Sequence, residues 1–181
     1  MESNAQPPIE AEIRRRYAAT RTAVPDETAV MVLHVGKGQS AVATGTHARP
    51  AAVLTLGIGS RSTSAAHFHH DPPTPLELEN AIAAVEDALL PVRDTVSEDC
   101  ALLTTDAGIR AIALAAGLPD QPEITLTREA IEETFNRLAA VSFGRPAAHE
   151  GLPAGGAFAA TLLILREFMH HAGFATIAVR A

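Results

Sequence analysis

An apolar strand that runs straight into a glycine-spaced turn, and out again into a second strand, is the strongest constraint in this chain: Val32-Leu33-His34-Val35-Gly36-Lys37-Gly38-Gln39-Ser40-Ala41-Val42. Two strands joined by so short a turn must pair antiparallel. Ala29–Val35 is almost continuously apolar, which predicts a central strand buried on both faces. Gln39–Gly45 pairs back, His47-Ala48-Arg49-Pro50 makes the next turn, and Ala51–Leu56 completes a meander. Glycine serves where backbone must take a positive φ or approach a neighbour with no Cβ in the way. Turns of this kind also present consecutive backbone N–H groups to a phosphate. Gly36, Lys37, Gly38, Gln39 and Ser40 are therefore the phosphate-binding candidates, with Lys37 adding a charge and Ser40 a hydroxyl. The competing reading is a tight hairpin whose glycines serve backbone geometry alone.

The rest of the chain alternates helices with short strands. Ile9, Ile13 and Tyr17 recur every four residues and predict an amphipathic helix over 9–21, free to dock on the domain or on a partner. Thr74, Pro75 and Glu77 form a helix-start signal, with Leu78, Ile82, Val85 and Leu89 as the buried stripe and Pro91 as the stop. Cys100–Thr104 reads as a strand and Ala107–Ala116 as a helix ended by Gly117. Thr127 caps a helix carrying Ile131, Phe135 and Leu138. Residues 156–172 form a helix apolar on most sides, and Ala175–Val179 is a closing strand. Strands joined by helices pair in parallel through right-handed crossovers. The expected fold is α/β: a mixed five-stranded sheet in the order β-β-β-α-β-α-α-α-β. Residues 1–8 read as a disordered tail, 9–24 as a helix and linker, and 25–181 as a single lobe.

Composition narrows the function classes. A net charge of -7 argues against a nucleic-acid surface, which needs clustered Lys and Arg. The one basic run, Arg14-Arg15-Arg16, lies beside Glu10 and Glu12 and reads as a solvated helix face. The longest apolar run, Ala157–Leu165, falls short of the roughly 20 residues of a membrane span. Cys100 has no partner for an internal disulfide, which suits a reducing, cytoplasmic setting.

Taken in order, several strings resemble the exopolyphosphatase / guanosine pentaphosphate phosphohydrolase (Ppx/GppA) family. They are Leu56-Gly57-Ile58-Gly59-Ser60 running through His67-Phe68-His69-His70-Asp71-Pro72-Pro73-Thr74-Pro75-Leu76-Glu77, then Gly108-Ile109-Arg110-Ala111-Ile112-Ala113, then Gly151-Leu152-Pro153 with the helix after it. The resemblance covers residues 29–180 and implies the C-terminal lobe of an actin-like, ribonuclease H-like core. It also implies what this lobe lacks. His34 and Ala41 stand where that family has an Asp and a Glu around the first phosphate turn. Thr104-Thr105-Asp106-Ala107-Gly108 has lost the glycines of a second loop, Gly156 and Phe158 replace a late Arg and Asp, and the preceding lobe is missing.

Phosphoanhydride hydrolysis needs carboxylates to hold a metal and orient water. The chain is therefore expected to be non-catalytic alone, with no catalytic residue assigned, and to bind a phosphorylated ligand or a protein. The alternative is half of a polyphosphate or guanosine polyphosphate hydrolase, completed by a partner chain or a second copy, with magnesium required only in that case. Either way a homodimer or partner is expected to cover the face of the missing lobe, through apolar surface left exposed. His67, His69, His70 and Asp71 are weak metal-ligand candidates of types that bind transition ions, set against a reading as surface or interface residues. His34 reads as a phosphate donor, a base, or a partly buried group bonded to backbone; His170-His171 sits at a helix end where the dipole favours protonated His. Ser60 and Ser62 flank Arg61 with no base-orienter arrangement, and no serine-hydrolase motif is present.

Overall fold

β1 (Val30–Val35) carries two unlike rows of side chains, because successive residues of a strand face opposite sides. Met31 and Leu33 join the main core; Val30 and Val32 join a smaller one on the other face. These features come from a computed structural model that describes residues 8–97 and 99–181; the expected tail, apart from Pro8, lies outside the described residues.

β1 pairs antiparallel with β2 (Ser40–Gly45), and β2 with β3 (Ala52–Leu56), as the glycine turn demands. On its other edge β1 pairs in parallel with β4 (Ala101–Thr104), which pairs in parallel with β6 (Thr176–Arg180). A strand not expected from the sequence, β5 (Glu123–Thr127), pairs antiparallel with β6 and makes the sheet six-stranded, in the order β3-β2-β1-β4-β6-β5. The five-strand expectation is thus corrected. The signal was there in Ile124 and Leu126, which are buried and alternate with outward Glu123 and Thr125. It was hidden because the strand ends on Thr127, whose side chain already caps the following helix by accepting from Ala130 N.

Seven helices are present among the described residues. α1 (Ile9–Arg21) lies over β1, β2 and β3 on the smaller-core face, with Ile13 and Tyr17 fully buried. Each such burial contributes roughly 1.5–3 kcal/mol. The linker and helix 9–24 are therefore docked on the sheet. α2 (Ser60–His67), α3 (Pro75–Leu89), α4 (Ala107–Ala115) and α5 (Arg128–Ser142) gather around α7 (Gly156–Ala172), with a single-turn α6 (Ala147–Glu150) before it. α7 buries Leu162, Leu163, Ile164, Leu165 and Phe168 completely, the all-round burial its sequence predicted. α3 begins with a full capping box between Thr74 and Glu77, also as predicted, and a 3-10 helix at Leu90–Thr95 continues it past Pro91. α2 was not expected: Ser60-Arg61-Ser62-Thr63-Ser64-Ala65-Ala66-His67 has no apolar stripe, and only Thr63 is buried. Among the described residues no helix is long and apolar enough to cross a membrane.

Candidate functional site

The parallel register of β1 and β4 sets their C-terminal ends side by side, and the strands leave β1 in opposite directions beyond that point. Crevices outside the carboxyl ends of strands at such a reversal are where open α/β sheets bind ligands. Here a cleft of about 710 Å³ opens, lined by the turn 36–39, His34, Ser60 and Asp106, and on its far side by Ile9, Glu12, Arg15 and Arg16 of α1.

The turn is built against the start of α2. Gly36 O accepts from Ser60 N at 2.9 Å; Lys37 O accepts from Arg61 N at 2.9 Å and Ser62 N at 3.1 Å; Gly38 O accepts from Ser62 Oγ at 2.8 Å. These carbonyls occupy the N–H groups of the first helical turn that would otherwise lack partners. In a planar trans peptide the following N–H points opposite to its carbonyl. The N–H groups of Lys37, Gly38 and Gln39 are therefore all turned away from α2, and none has an acceptor among the described residues. Gly36 and Gly59 serve contact rather than left-handed backbone. A Cβ on Gly36 would meet Gln39 O at 2.5 Å, and one on Gly59 would meet the backbone of residues 37–39 at 2.7–2.8 Å. Gly38 has open space where a Cβ would be.

Of the five turn candidates, the structure brings Gly36, Lys37, Gly38 and Gln39 to the cleft. Ser40 goes elsewhere: it is fully buried and its Oγ donates to Ile58 O at 2.7 Å, fastening β2 to the segment that enters α2. Lys37 makes no ion pair among the described residues. Arg15 and Arg16 bring the cations lining the cleft to three, against the carboxylates of Glu12 and Asp106.

Both carboxylates are already occupied. Asp106 is 5% exposed; its Oδ1 accepts from Arg16 Nη1 at 2.9 Å and from His34 Nδ1 at 2.6 Å, and its Oδ2 from Val35 N at 2.6 Å. Glu12 accepts from Arg15 Nη2 at 2.5 Å and from Arg16 Nε at 2.6 Å. The Arg15 bond, aided by Arg16, holds the Glu12 carboxyl below its usual range against the opposing effect of burial. His34 is thus bonded to a side-chain carboxylate rather than to backbone. Ala41 sits opposite His34 in the register, fully buried beneath α1.

Arg16, Glu12 and Asp106 were missed as site residues. The basic run reads in sequence as a solvated face, and Arg15 keeps that character, 75% exposed, whereas Arg16 turns to Asp106. Asp106 has one available signal: an acidic residue two positions past a strand at the carboxyl edge of the sheet.

The histidine-rich loop is organised differently from a metal site. Glu77 Oε1 accepts from His69 N at 2.8 Å and His70 Nδ1 at 2.9 Å, while its Oε2 accepts from Thr74 N at 2.7 Å. The Thr74 backbone bond, with those of His70 and His69, holds the Glu77 carboxyl down at about 2. His67, His69, His70 and Asp71 do not bring three ligand atoms together; among the described residues the one group that does is Glu86, Glu167 and His171. The exposed large apolar residues, Leu76, Leu90, Leu114 and Phe143, are scattered over separate segments, and none lines the cleft.

No protein-family profile matches this chain, and no curated protein matches it. Solved structures do. A Ppx/GppA enzyme of Aquifex aeolicus superposes with a TM-score of 0.75 and 20% identity over 94% of this chain and 59% of its own. An exopolyphosphatase-like protein superposes with a TM-score of 0.71 and 16% identity over 96% of this chain and 63% of its own. An exopolyphosphatase of Cytophaga hutchinsonii gives a TM-score of 0.70 and 15% identity over 95% of this chain and 59% of its own. The chain therefore has the Ppx/GppA fold, and spans about six tenths of the length of the solved structures it matches.

Proposed function

From this fold and this cleft, we propose that the chain is an exopolyphosphatase-like binding module that takes a phosphorylated ligand on the 36–39 turn and does not hydrolyse it unaided. The observation that carries the reading is the row of three N–H groups at Lys37, Gly38 and Gln39, turned away from α2 without acceptors, in a cleft with more cations than carboxylates. Backbone donors of this kind suit an anion. Lys37 supplies a charge that the ion pairs of Glu12 and Asp106 with Arg15 and Arg16 do not engage.

The same ion pairs argue against catalysis by this chain alone. Magnesium at a phosphate site needs a free carboxylate. Here the two carboxylates lining the cleft are held by Arg15, Arg16, His34 and Val35 N, so the residues present do not fit the ion and no step is assigned to it. Ala41, where a carboxylate was implied by resemblance, lies under α1. The chain's span of about six tenths of its structural neighbours supports a second reading, in which a partner or a second copy covers the cleft and supplies the missing chemistry.

Titration calorimetry of the full chain with pyrophosphate and with polyphosphate, with and without magnesium, tests the proposal. Binding without phosphate release is expected, and Lys37→Ala should weaken it about tenfold, equivalent to about 1.4 kcal/mol. No heat and no rise in melting temperature at saturating ligand removes the binding reading. Release of phosphate by the chain alone removes the non-catalytic one. Size-exclusion mass with each ligand checks for a second copy.

A further inference from the structure

Away from the cleft, α3 and α7 pack together and place a second charged cluster at their junction with the 3-10 helix. We infer that Glu86, Glu167 and His171 form a binding site for a first-row divalent transition-metal ion such as zinc or manganese, clipping α3 to α7. Glu167 and His171 are four residues apart on α7 and so share one face, toward which Glu86 reaches from α3. One ligand atom from each lies within 4.8 Å of the other two.

Two observations mark the cluster as more than a gathering of surface charge. Glu167 is 3% exposed, and among the described residues only its Oε1 is bonded, by Arg166. Arg166 compensates its charge, which leaves Oε2 as the oxygen open to a further partner. His171 is the second. Its Nδ1 is buried with no hydrogen-bond partner among the described residues, and its Nε2 lies 3.9 Å from Glu86 Oε1, too far for a hydrogen bond. The buried Nδ1 lacks the partner such an atom usually has, and Nε2, which faces Glu86 and reaches solvent, is free to take an ion. An imidazole with two carboxylates is a donor set suited to zinc or manganese, with a position left for water.

The neighbouring charges leave room for the ion. Arg166 lies over the Phe135 ring at 4.6 Å and donates from Nε to Glu132 Oε2 at 3.0 Å, besides its bond to Glu167. His170 is bound to the same Glu132. A carboxylate has about four acceptor positions, so one bond from Arg166 does not exhaust Glu167. Arg93 donates to His171 O at 3.3 Å, which fixes the helix end rather than neutralising a carboxylate.

The test is calorimetric titration of chelator-treated full chain with zinc chloride and with manganese chloride, beside magnesium and calcium controls. One transition ion per chain is expected, with a rise in melting temperature. Glu86→Gln, at a half-exposed position that tolerates the change, should weaken binding tenfold or more, as should His171→Gln. A His69→Ala/His70→Ala variant should leave it unchanged. The inference is overturned if no ion binds, if binding survives both Glu86→Gln and His171→Gln, or if the His69/His70 variant abolishes it. Melting curves of the metal-free variants confirm that each is folded.

Discussion

The cleft beside β1 and the cluster between α3 and α7 are both rich in charge, yet opposite groups are left over in them. In the cleft each carboxylate carries three bonds from arginine, histidine or backbone N–H, and the groups without partners are donors: three amides and Lys37. In the cluster Arg166 already bonds Glu132 and Glu167 and Arg93 bonds a backbone carbonyl, while Glu86, the second oxygen of Glu167 and the ring of His171 keep capacity. A count of charged residues would rate the two places alike. The hydrogen-bond inventory separates an anion site from a cation site, because what a pocket binds is decided by the valences its own folding leaves unspent.

The hardest test of that contrast removes the carboxylate at the centre of the cleft. Asp106→Ala leaves Arg16, His34 Nδ1 and Val35 N without their acceptor, and should cost about 3 kcal/mol, as breaking a buried ion pair does. For a chain of this size that lowers the melting temperature by roughly 10 °C. If the loss is within 1 °C, the Arg16–Asp106–His34 network is not what holds α1 over the cleft.

A milder substitution separates the two sites. Gly59→Ala drives a Cβ into the backbone of residues 37–39 and should cost about 2 kcal/mol through overpacking. Pyrophosphate binding should fall with it, measured by calorimetry, while zinc binding stays as it was. Parallel loss of both would show that the two sites are not independent.

The smallest effect is a matter of pH. Glu77 is held at about 2 in the folded chain, below its unfolded value near 4.5. A depressed acid stabilises fully above its unfolded pKa and loses that contribution as pH falls through the folded one. The melting temperature of the wild type should therefore fall from pH 5 to pH 2 more steeply than that of Glu77→Gln. Parallel curves would mean that the bonds from Thr74, His69 and His70 do not depend on the charge.

Much of this fold was legible in the residues. The meander follows from apolar runs broken by a turn too short for a crossover, and α7 from an apolar sequence that no amphipathic stripe describes. The capping box at Thr74–Glu77 forms as its spacing says. α2 was not legible, because what holds its start is the row of turn carbonyls 24 residues earlier in the chain, not a pattern of its own. Arg16 and Asp106 were not legible as a pair for the same reason: 90 residues separate them, and the seat of α1 on the sheet together with the parallel docking of β4 on β1 brings them to 2.9 Å.

Local sequence alone determined where α3 and α5 start and which strands must be hairpins. It could not determine which charges meet. Hydrophobic periodicity is a property of neighbours in the chain, whereas an ion pair or an unsatisfied amide is a property of neighbours in space, fixed only when the sheet order and the seat of α1 are decided by packing.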